Sequence, residues 1–493
     1  MITFVLALAA LIVGYFVYGR FVERAFSPDD RPTPAVTKAD GVDYIVMPNW
    51  RVFMIQFLNI AGTGPIFGAI MGAKFGPVAY LWIVLGCIFA GATHDYLSGM
   101  LSVRHGGANL PELVGRYLGT ATKRVMLCFA VLMLMMVGVV FVYSPAEILG
   151  KIWEPEWFVT TFGPYRFWIL LIFLYYIMAT MLPVDKIIGK LYPIFAFSLL
   201  FMAGALMVML FIKRPVLPEL WEQFGNMGVG RLEGFSDHIF PALFITIACG
   251  AISGFHATQS PLMARCINSE RHGRPIFYGA MITEGVVAVI WATVAMYFFY
   301  DSPTPGYELM GVADGSHTSA PSVVNLICKD WLGVAGGILA MLGVVAAPIT
   351  SGDTAFRSSR LIIAEALHVS QKSIIRRFYI AVPMFIAAIA LLVWQIEDKD
   401  GFNKIWSWFG WGNQTLSVFT LWTLTVYLVQ QKRAFIITLI PALFMTTVCS
   451  TFLFVSRQAF GLAAEAGYAL GGVVLVVALV WFMVWYRKAM SRQ

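Results

Sequence analysis

Two stretches of the sequence place helix-breaking or polar residues deep inside long apolar runs. The first is Ala61-Gly62-Thr63-Gly64-Pro65, near the middle of the apolar run 52–73. Glycine permits unusual backbone dihedrals and proline lacks an N–H, so a helix would be interrupted here. Pro65 suits the first turn of a second half-helix, whose free N–H groups would attract a carboxylate. We therefore predict substrate contacts at Gly62, Thr63, Gly64 and Pro65; the alternative is a proline-kinked, closely packed helix.

The second stretch lies in the uncharged run 238–264. Unpaired polar groups are costly in hydrocarbon, so its polar side chains should face a cavity. His256 could carry a proton, because imidazole titrates near neutral pH, or it could be a hydrogen-bonded structural residue. The residues predicted to contact the substrate here are Ser253, Gly254, His256, Thr258 and Gln259.

Other intramembrane groups could bind or transfer a cation. Hydroxyl oxygens suit Na⁺, and Ser351, Thr354 and Ser358 share one helical face at the end of the run 331–352, so a sodium site is one option. Asp353 and Arg357, four residues apart, read as an ion pair. The predicted candidates for proton coupling are His256, Asp95, His94, Asp353 and Glu284, and those for sodium are Thr350, Ser351 and Thr354.

Composition places the chain in the membrane. Of 493 residues, 59% are apolar and 12% are charged, whereas a soluble globular protein has about 25% charged residues. The net charge of +7 reflects residues at the ends of apolar runs, so no nucleic-acid partner is expected. The six cysteines show no metal-site or disulfide spacing and read as core residues. Trp406 and Trp408 read as part of an interfacial aromatic belt, with a ligand pocket as the alternative.

Runs of about 20 apolar residues match a hydrocarbon core of roughly 30 Å. Lys and Arg concentrate in the loops after the odd-numbered runs and in the C-terminal tail, which predicts an outside N-terminus and a cytoplasmic C-terminus. The sequence predicts thirteen spans: 2–19, 52–73, 75–93, 125–146, 167–184, 191–212, 238–264, 277–300, 331–352, 378–396, 405–431, 434–456 and 466–486.

Each predicted break opens a set of five spans. Because five is odd, the second set has the opposite orientation, and inverted repeats that begin with a discontinuous helix are typical of ion-coupled transporters. The predicted units are 1–51 with one span, the repeats 52–212 and 238–431, and 432–493 with two spans. No ATP-binding glycine-rich loop and no enzymatic module is present, so we expect an ion gradient as the energy source and no cofactor.

Five short motifs occur in a fixed order along the chain: Gly62-Thr63-Gly64-Pro65-Ile66-Phe67-Gly68, His94-Asp95-Tyr96, Asn109-Leu110-Pro111-Glu112, Ser253-Gly254-Phe255-His256 and Phe356-Arg357-Ser358-Ser359-Arg360. With these motifs the chain resembles the carbon starvation protein family (CstA) over most of residues 1–490. This resemblance implies a plasma-membrane carrier that takes up small peptides or, in related members, pyruvate, with a LeuT-like 5+5 inverted repeat. Proton coupling is what the pyruvate-type members suggest.

The leading hypothesis is a proton-coupled importer of small peptides in a bacterial-type inner membrane. A symporter of pyruvate or another small carboxylate is the alternative, because both solutes carry a carboxylate. A passive channel and a starvation sensor are further alternatives. An intramembrane protease is disfavoured, because neither a G-x-G-D sequence nor H-E-x-x-H is present.

Overall fold

The computed structural model describes residues 1–40, 44–181, 184–225, 227, 238–300, 320–369, 373–398 and 401–491. Within these ranges the chain forms helices and connecting segments and no β-strand. Residues 182 and 183, inside the predicted span 167–184, lie outside the described ranges. The prediction of an all-helical protein is therefore confirmed over the described chain.

Twelve α-helices and several tighter or wider helical segments form the part before the second predicted repeat. The segments Gly64–Gly68 and Trp82–Gly91 are π-helical, and Ala73–Phe75 is a 3₁₀ turn. The α-helices are α1 (Ile2–Phe16), α2 (Tyr18–Phe26), α3 (Pro34–Thr37), α4 (Asn49–Ile60), α5 (Ala69–Gly72), α6 (Val78–Leu81), α7 (Ala92–Arg104), α8 (Leu110–Leu118), α9 (Thr120–Ile152), α10 (Glu156–Phe162), α11 (Arg166–Met181) and α12 (Val184–Lys213).

Eight more α-helices follow, with a 3₁₀ turn at Glu270–His272 and a π-helical segment at Arg274–Tyr278. Helix α16 is the longest, and the backbone at Gly333 interrupts it with a left-handed φ of 64°. The helices are α13 (Ala242–Thr246), α14 (Gly254–Ala264), α15 (Gly279–Tyr300), α16 (Ala320–Ala366), α17 (Ile374–Glu397), α18 (Gly401–Gln430), α19 (Ile436–Val455) and α20 (Ala464–Ser491).

By length and composition, eight helices of the described chain can cross a membrane, or ten if two bent helix pairs each count as one span. The predicted count of thirteen stays a prediction. The predicted run 238–264 is divided between two short helices, α13 and α14, and the predicted run 331–352 lies within the much longer α16. Apolar runs locate spans, but they do not report where a helix continues through polar residues that the protein buries.

Two helical segments occupy the centre of the protein. The most apolar windows of Val78–Arg104 and Glu270–Phe299 are each 83% buried, whereas that of α20 is 17% buried. Helix α20 exposes a row of large apolar side chains, as expected for a helix that faces lipid. Helices α4, α7, α14, α15 and α16 pack against one another in this interior and carry the polar groups described below.

Two sequence interpretations are wrong. Trp406 is buried against the Phe67 and Phe409 rings, with centroids 5.9 and 5.3 Å away, so it is not part of an interfacial belt. Trp408 is half-buried. Helix α18 packs along the core, and this burial overrides the preference of tryptophan for a membrane interface.

The second wrong interpretation concerns the cysteines. Cys128 is exposed, whereas the other five cysteines are buried as expected.

Candidate functional site

The first helix is interrupted where the sequence predicts. Helix α4 ends at Ile60, and the chain resumes in the segment Gly64–Phe75, bent by 51°. The Ala61 N–H still donates to Phe57 at 2.8 Å, and the Thr63 carbonyl accepts the next helical bond from Phe67 at 2.7 Å. In the described chain, the N–H groups of Gly62, Thr63 and Gly64 donate no hydrogen bond. Pro65 lies in the first turn of the new half-helix, as expected.

The second interrupted segment runs from α13 to α14. Residues 247–253 form no regular helix, and Gly250 adopts a left-handed φ of 87°. Ser253 is the residue that precedes α14. Asn413 on α18 accepts the Phe255 N–H at 2.7 Å, and its amide nitrogen donates to the Ser253 hydroxyl at 2.9 Å. The break is therefore stabilised by an amide side chain from a distant helix.

Replacing Asn413 with alanine should destabilise the protein. The Phe255 N–H at the start of α14 would lose its acceptor in the buried interior, which costs about 1–3 kcal/mol. We expect a lower unfolding midpoint in detergent for Asn413→Ala, measured by a thermal unfolding assay. Asn268→Ala, at an exposed position, is the matched control and should leave the midpoint unchanged. An equal midpoint for both variants would contradict the capping role.

The two breaks lie against each other in the interior. A Cβ atom added at Gly64 would lie 2.2 Å from the Cβ of Cys249, and one added at Gly68 would lie 3.2 Å from the Thr246 carbonyl oxygen. A Cβ atom at Gly250 would lie 2.6 Å from the Ala288 Cβ and 3.7 Å from the Pro65 Cα. A larger residue at Gly64 or Gly250 would therefore meet side-chain atoms of neighbouring segments, and Gly250 also has a left-handed φ that favours glycine. The structure thus brings together two segments that the sequence predicts separately.

Four buried side chains form a continuous chain beside the second break, which we call the intramembrane cluster: His94, Asp95, His256 and Glu284. Asp95 lies between the two histidines, 2.7 Å from His94 Nδ1 and 2.7 Å from His256 Nδ1. The other nitrogen of His256, Nε2, lies 3.5 Å from Glu284 Oε2. Glu284 Oε1 accepts the Gly250 N–H at 3.1 Å, which ties the cluster to the break. All four side chains are fully buried.

The cluster contains four of the five predicted candidates for proton coupling. The helix that contains the predicted span 75–93 continues to Arg104, so His94 and Asp95 lie inside it and not at its end. Among the described residues, Glu284 pairs with His256. Which of these groups carries a proton stays a prediction.

The predicted sodium ligands are only partly brought together. The Ser351 hydroxyl lies 3.2 Å from the Leu58 carbonyl oxygen and 3.3 Å from that of Asn59, at the C-terminal end of α4. The hydroxyls of Thr350 and Thr354 donate to carbonyls of their own helix. Among the described residues, Ser351 is therefore the one of these three whose hydroxyl hydrogen-bonds to α4, next to the first break.

The fifth candidate for proton coupling lies apart from the cluster. Asp353 on α16 is fully buried, and its carboxylate accepts the Tyr192 hydroxyl at 3.3 Å. The Arg357 guanidinium lies 3.8 Å from the same carboxylate. The ion pair expected from the i, i+4 spacing is therefore present.

The remaining predicted contact residues are buried on α14. Gln259 donates to the Thr258 hydroxyl at 3.0 Å, and its Oε1 has no hydrogen-bond partner among the described residues. Across from them, Gln56 Nε2 lies 3.5 Å from the Ser260 hydroxyl. The two polar atoms of the Asn59 side chain have no partner within the described ranges.

Gln56, Asn59 and Cys249 are site residues that sequence reasoning missed. A signal for the first two was present, because Gln56, Asn59 and Thr63 recur at i, i+3 and i+7 within an apolar run, which places polar groups on one helical face. Cys249 carried no such signal, since its partners come from separate segments.

Comparison with known proteins identifies relatives over most of the chain. The family model described as carbon starvation protein CstA matches residues 1–151, 146–305 and 317–452. An uncharacterized membrane protein of Haemophilus influenzae is 45% identical over 344 residues, which cover 62% of this chain and 92% of that protein. A protein of Bacillus subtilis named peptide transporter CstA is 26% identical, covering 97% of this chain and 94% of its own.

Solved structures of similar fold are transporters with the LeuT-like architecture. A manganese transporter of Eremococcus coleocola has a TM-score of 0.54 and 11% identity, covering 92% of this chain and 99% of that one. MhsT in complex with L-phenylalanine has a TM-score of 0.54 and 13% identity, covering 87% of this chain and 97% of that one. At these identities the likeness establishes the fold: an all-helical membrane protein with LeuT-like architecture.

Proposed function

From the premise that this chain belongs to the carbon starvation protein family CstA, we propose that it is a secondary active transporter that imports small peptides across the bacterial inner membrane. Relatives that match most of the chain are named peptide transporters. The solved structures of similar fold are transporters too. Multiple apolar helices agree with a multi-pass membrane protein.

The observation that carries this proposal is the contact between two interrupted helices in the protein interior. Lipid cannot satisfy free backbone groups, so such breaks are tolerated where a protein-lined site uses them. The amides of Thr63 and Gly64 have no acceptor in the described structure and lie at the start of a half-helix. We propose that they receive the carboxylate of the solute, helped by the positive end of the helix dipole.

A peptide is favoured over pyruvate by two buried side-chain amides on α4 and α14. Asn59 and Gln259 carry buried amide atoms without partners in the described chain. A side-chain amide both donates and accepts, so it can bond the N–H and C=O of a peptide group. Pyruvate has no N–H to satisfy an amide oxygen. A small-carboxylate symporter nevertheless remains the second candidate, because the free amides of Thr63 and Gly64 suit any carboxylate.

We further propose that protons drive the import. The sequence contains no nucleotide-binding glycine-rich motif, so we take an ion gradient as the energy source for import. Sodium coupling through Ser351 and its neighbours is the competing scheme. The proposed orientation places the N-terminus outside and the C-terminus in the cytoplasm, which the distribution of Lys and Arg supports.

Proteoliposomes provide the test. With an inward-directed proton gradient, the purified protein should accumulate a labelled dipeptide or tripeptide above its equilibrium level, and a protonophore should abolish the accumulation. The same vesicles with an imposed sodium gradient at equal pH are the matched control. Accumulation of labelled pyruvate instead would favour the second candidate, and equilibration without accumulation under either gradient would contradict coupled transport.

A further inference from the structure

The intramembrane cluster has a neighbour whose chemistry the proposed transport does not use. Cys249, in the second break, offers its sulfur beside His256 and Glu284. One ligand atom from each of these three residues lies within 4.8 Å of the other two, and all three side chains are buried. We infer that Cys249, His256 and Glu284 form a binding site for one divalent transition-metal ion of the Zn²⁺ class.

The separation between His256 and Glu284 is the first support. Nε2 of His256 and Oε2 of Glu284 are 3.5 Å apart, and neither has a hydrogen-bond partner among the described residues. A direct hydrogen bond would bring them to about 2.9 Å. Two ligands of one metal ion, each at ~2.0–2.2 Å, lie roughly 3.5 Å apart in a tetrahedral site. The distance between these two buried atoms therefore matches the separation of two atoms that coordinate the same metal ion.

The groups behind the ligands are the second support. Asp95 lies 2.7 Å from His256 Nδ1, which orients the imidazole and leaves Nε2 as the coordinating atom. A carboxylate that accepts a hydrogen bond from the second ring nitrogen commonly sets the orientation of a metal-binding histidine. The Gly250 N–H holds the other oxygen of Glu284. Asn413 donates to the Cys249 sulfur at 3.4 Å, which helps to fix its position.

The ligand types select the class of ion. Sulfur and imidazole nitrogen favour Zn²⁺ and its neighbours in the first transition series, whereas Na⁺, Mg²⁺ and Ca²⁺ prefer oxygen. Three protein ligands leave one position of a tetrahedral ion open for water or solute. A divalent cation would also offset the buried carboxylates of Asp95 and Glu284, which are costly inside a membrane protein.

Cobalt spectroscopy tests this site without measuring transport, so its outcome is independent of the proposed function. The full chain is purified with an affinity tag that contains no histidine, treated with a chelator and titrated with Co²⁺. We expect one equivalent to bind, with the visible bands of a tetrahedral site and a thiolate-to-cobalt charge-transfer band. Stoichiometric Zn²⁺ should remove both. Absence of these bands from the folded wild-type protein would overturn the inference.

Variants assign the ligands. Cys249→Ser should lose the charge-transfer band, whereas Cys449→Ser, at another buried cysteine, should retain it. Asp95→Asn should keep the band and weaken Co²⁺ binding by about 10–100-fold, as expected when a group that orients a ligand is altered. A variant that retains Cys249 and has the other five cysteines replaced should keep the charge-transfer band. This result assigns the band to Cys249 even if Cys249→Ser does not fold. Persistence of the band in Cys249→Ser rules the site out.

Discussion

Replacing His256 with alanine is expected to abolish solute uptake and to destabilise the protein. The imidazole lies between two buried carboxylates, 2.7 Å from Asp95 and 3.5 Å from Glu284. Its removal leaves both carboxylates without this partner in a low-dielectric interior, and breaking a buried pair in this way costs about 3–5 kcal/mol. Uptake in proteoliposomes should fall to the level of empty vesicles, and the thermal unfolding midpoint should fall as well.

A second substitution separates loss of function from loss of fold. Glutamine can donate to one carboxylate and nearly fills the space of an imidazole, so His256→Gln should recover much of the thermal stability without restoring uptake. His272→Ala is the matched control, because this histidine lies in a 3₁₀ turn and bonds Asn268 outside the cluster. Uptake by His256→Ala at the wild-type rate would exclude the cluster from the transport cycle.

The second large effect is expected at Gly64. A methyl group there would lie 2.2 Å from the Cβ of Cys249, so either the two breaks must move apart or the first half-helix must shift. Overpacking of this kind costs typically 1–3 kcal/mol in a well-packed core. Because the displaced segment carries the free amides proposed to bind the solute, we expect Gly64→Ala to lose uptake and to lower the unfolding midpoint.

The contact can be tested by compensation. Cys249→Gly removes the Cβ atom that Gly64→Ala would meet, so the double variant should be more stable than Gly64→Ala alone. The difference measures the coupling between the two breaks in a double-mutant cycle. Gly204→Ala in α12, where an added Cβ meets nothing within 4 Å, is the control and should leave both uptake and stability unchanged. Additive effects of the two site substitutions would contradict a direct contact.

Local chemistry made the positions of the breaks predictable. Two glycines and a proline within four residues disrupt a helix whatever surrounds them. The polar residues from Ser253 to Pro261 located the second break only approximately, because the break lies at residues 247–253 and the chain from Gly254 onward forms α14. The ion pair between Asp353 and Arg357 was predictable for a similar reason, because residues four apart lie on one helical face. The family was recognisable from motifs that are contiguous in the sequence.

Apolar runs were less informative about helix ends in the interior. The run that ends near Thr93 predicts a span that stops there, yet α7 continues to Arg104 with His94, Asp95 and Ser98 buried. Hydropathy assumes that polar residues leave the membrane region, and this assumption fails where other helices cover them. The same reason explains why Trp406 is in the core and not at an interface.

By itself the sequence determined that this is a polytopic, all-helical membrane protein of the CstA family with two interrupted helices, because composition, helix breakers and contiguous motifs are local properties. Only the tertiary structure decided which groups meet. His94 and Asp95 on α7, Cys249 in the second break, His256 on α14 and Glu284 on α15 come together because helices distant in the chain pack side by side. No spacing rule within one segment encodes such a juxtaposition, since it depends on how whole helices cross in the bundle.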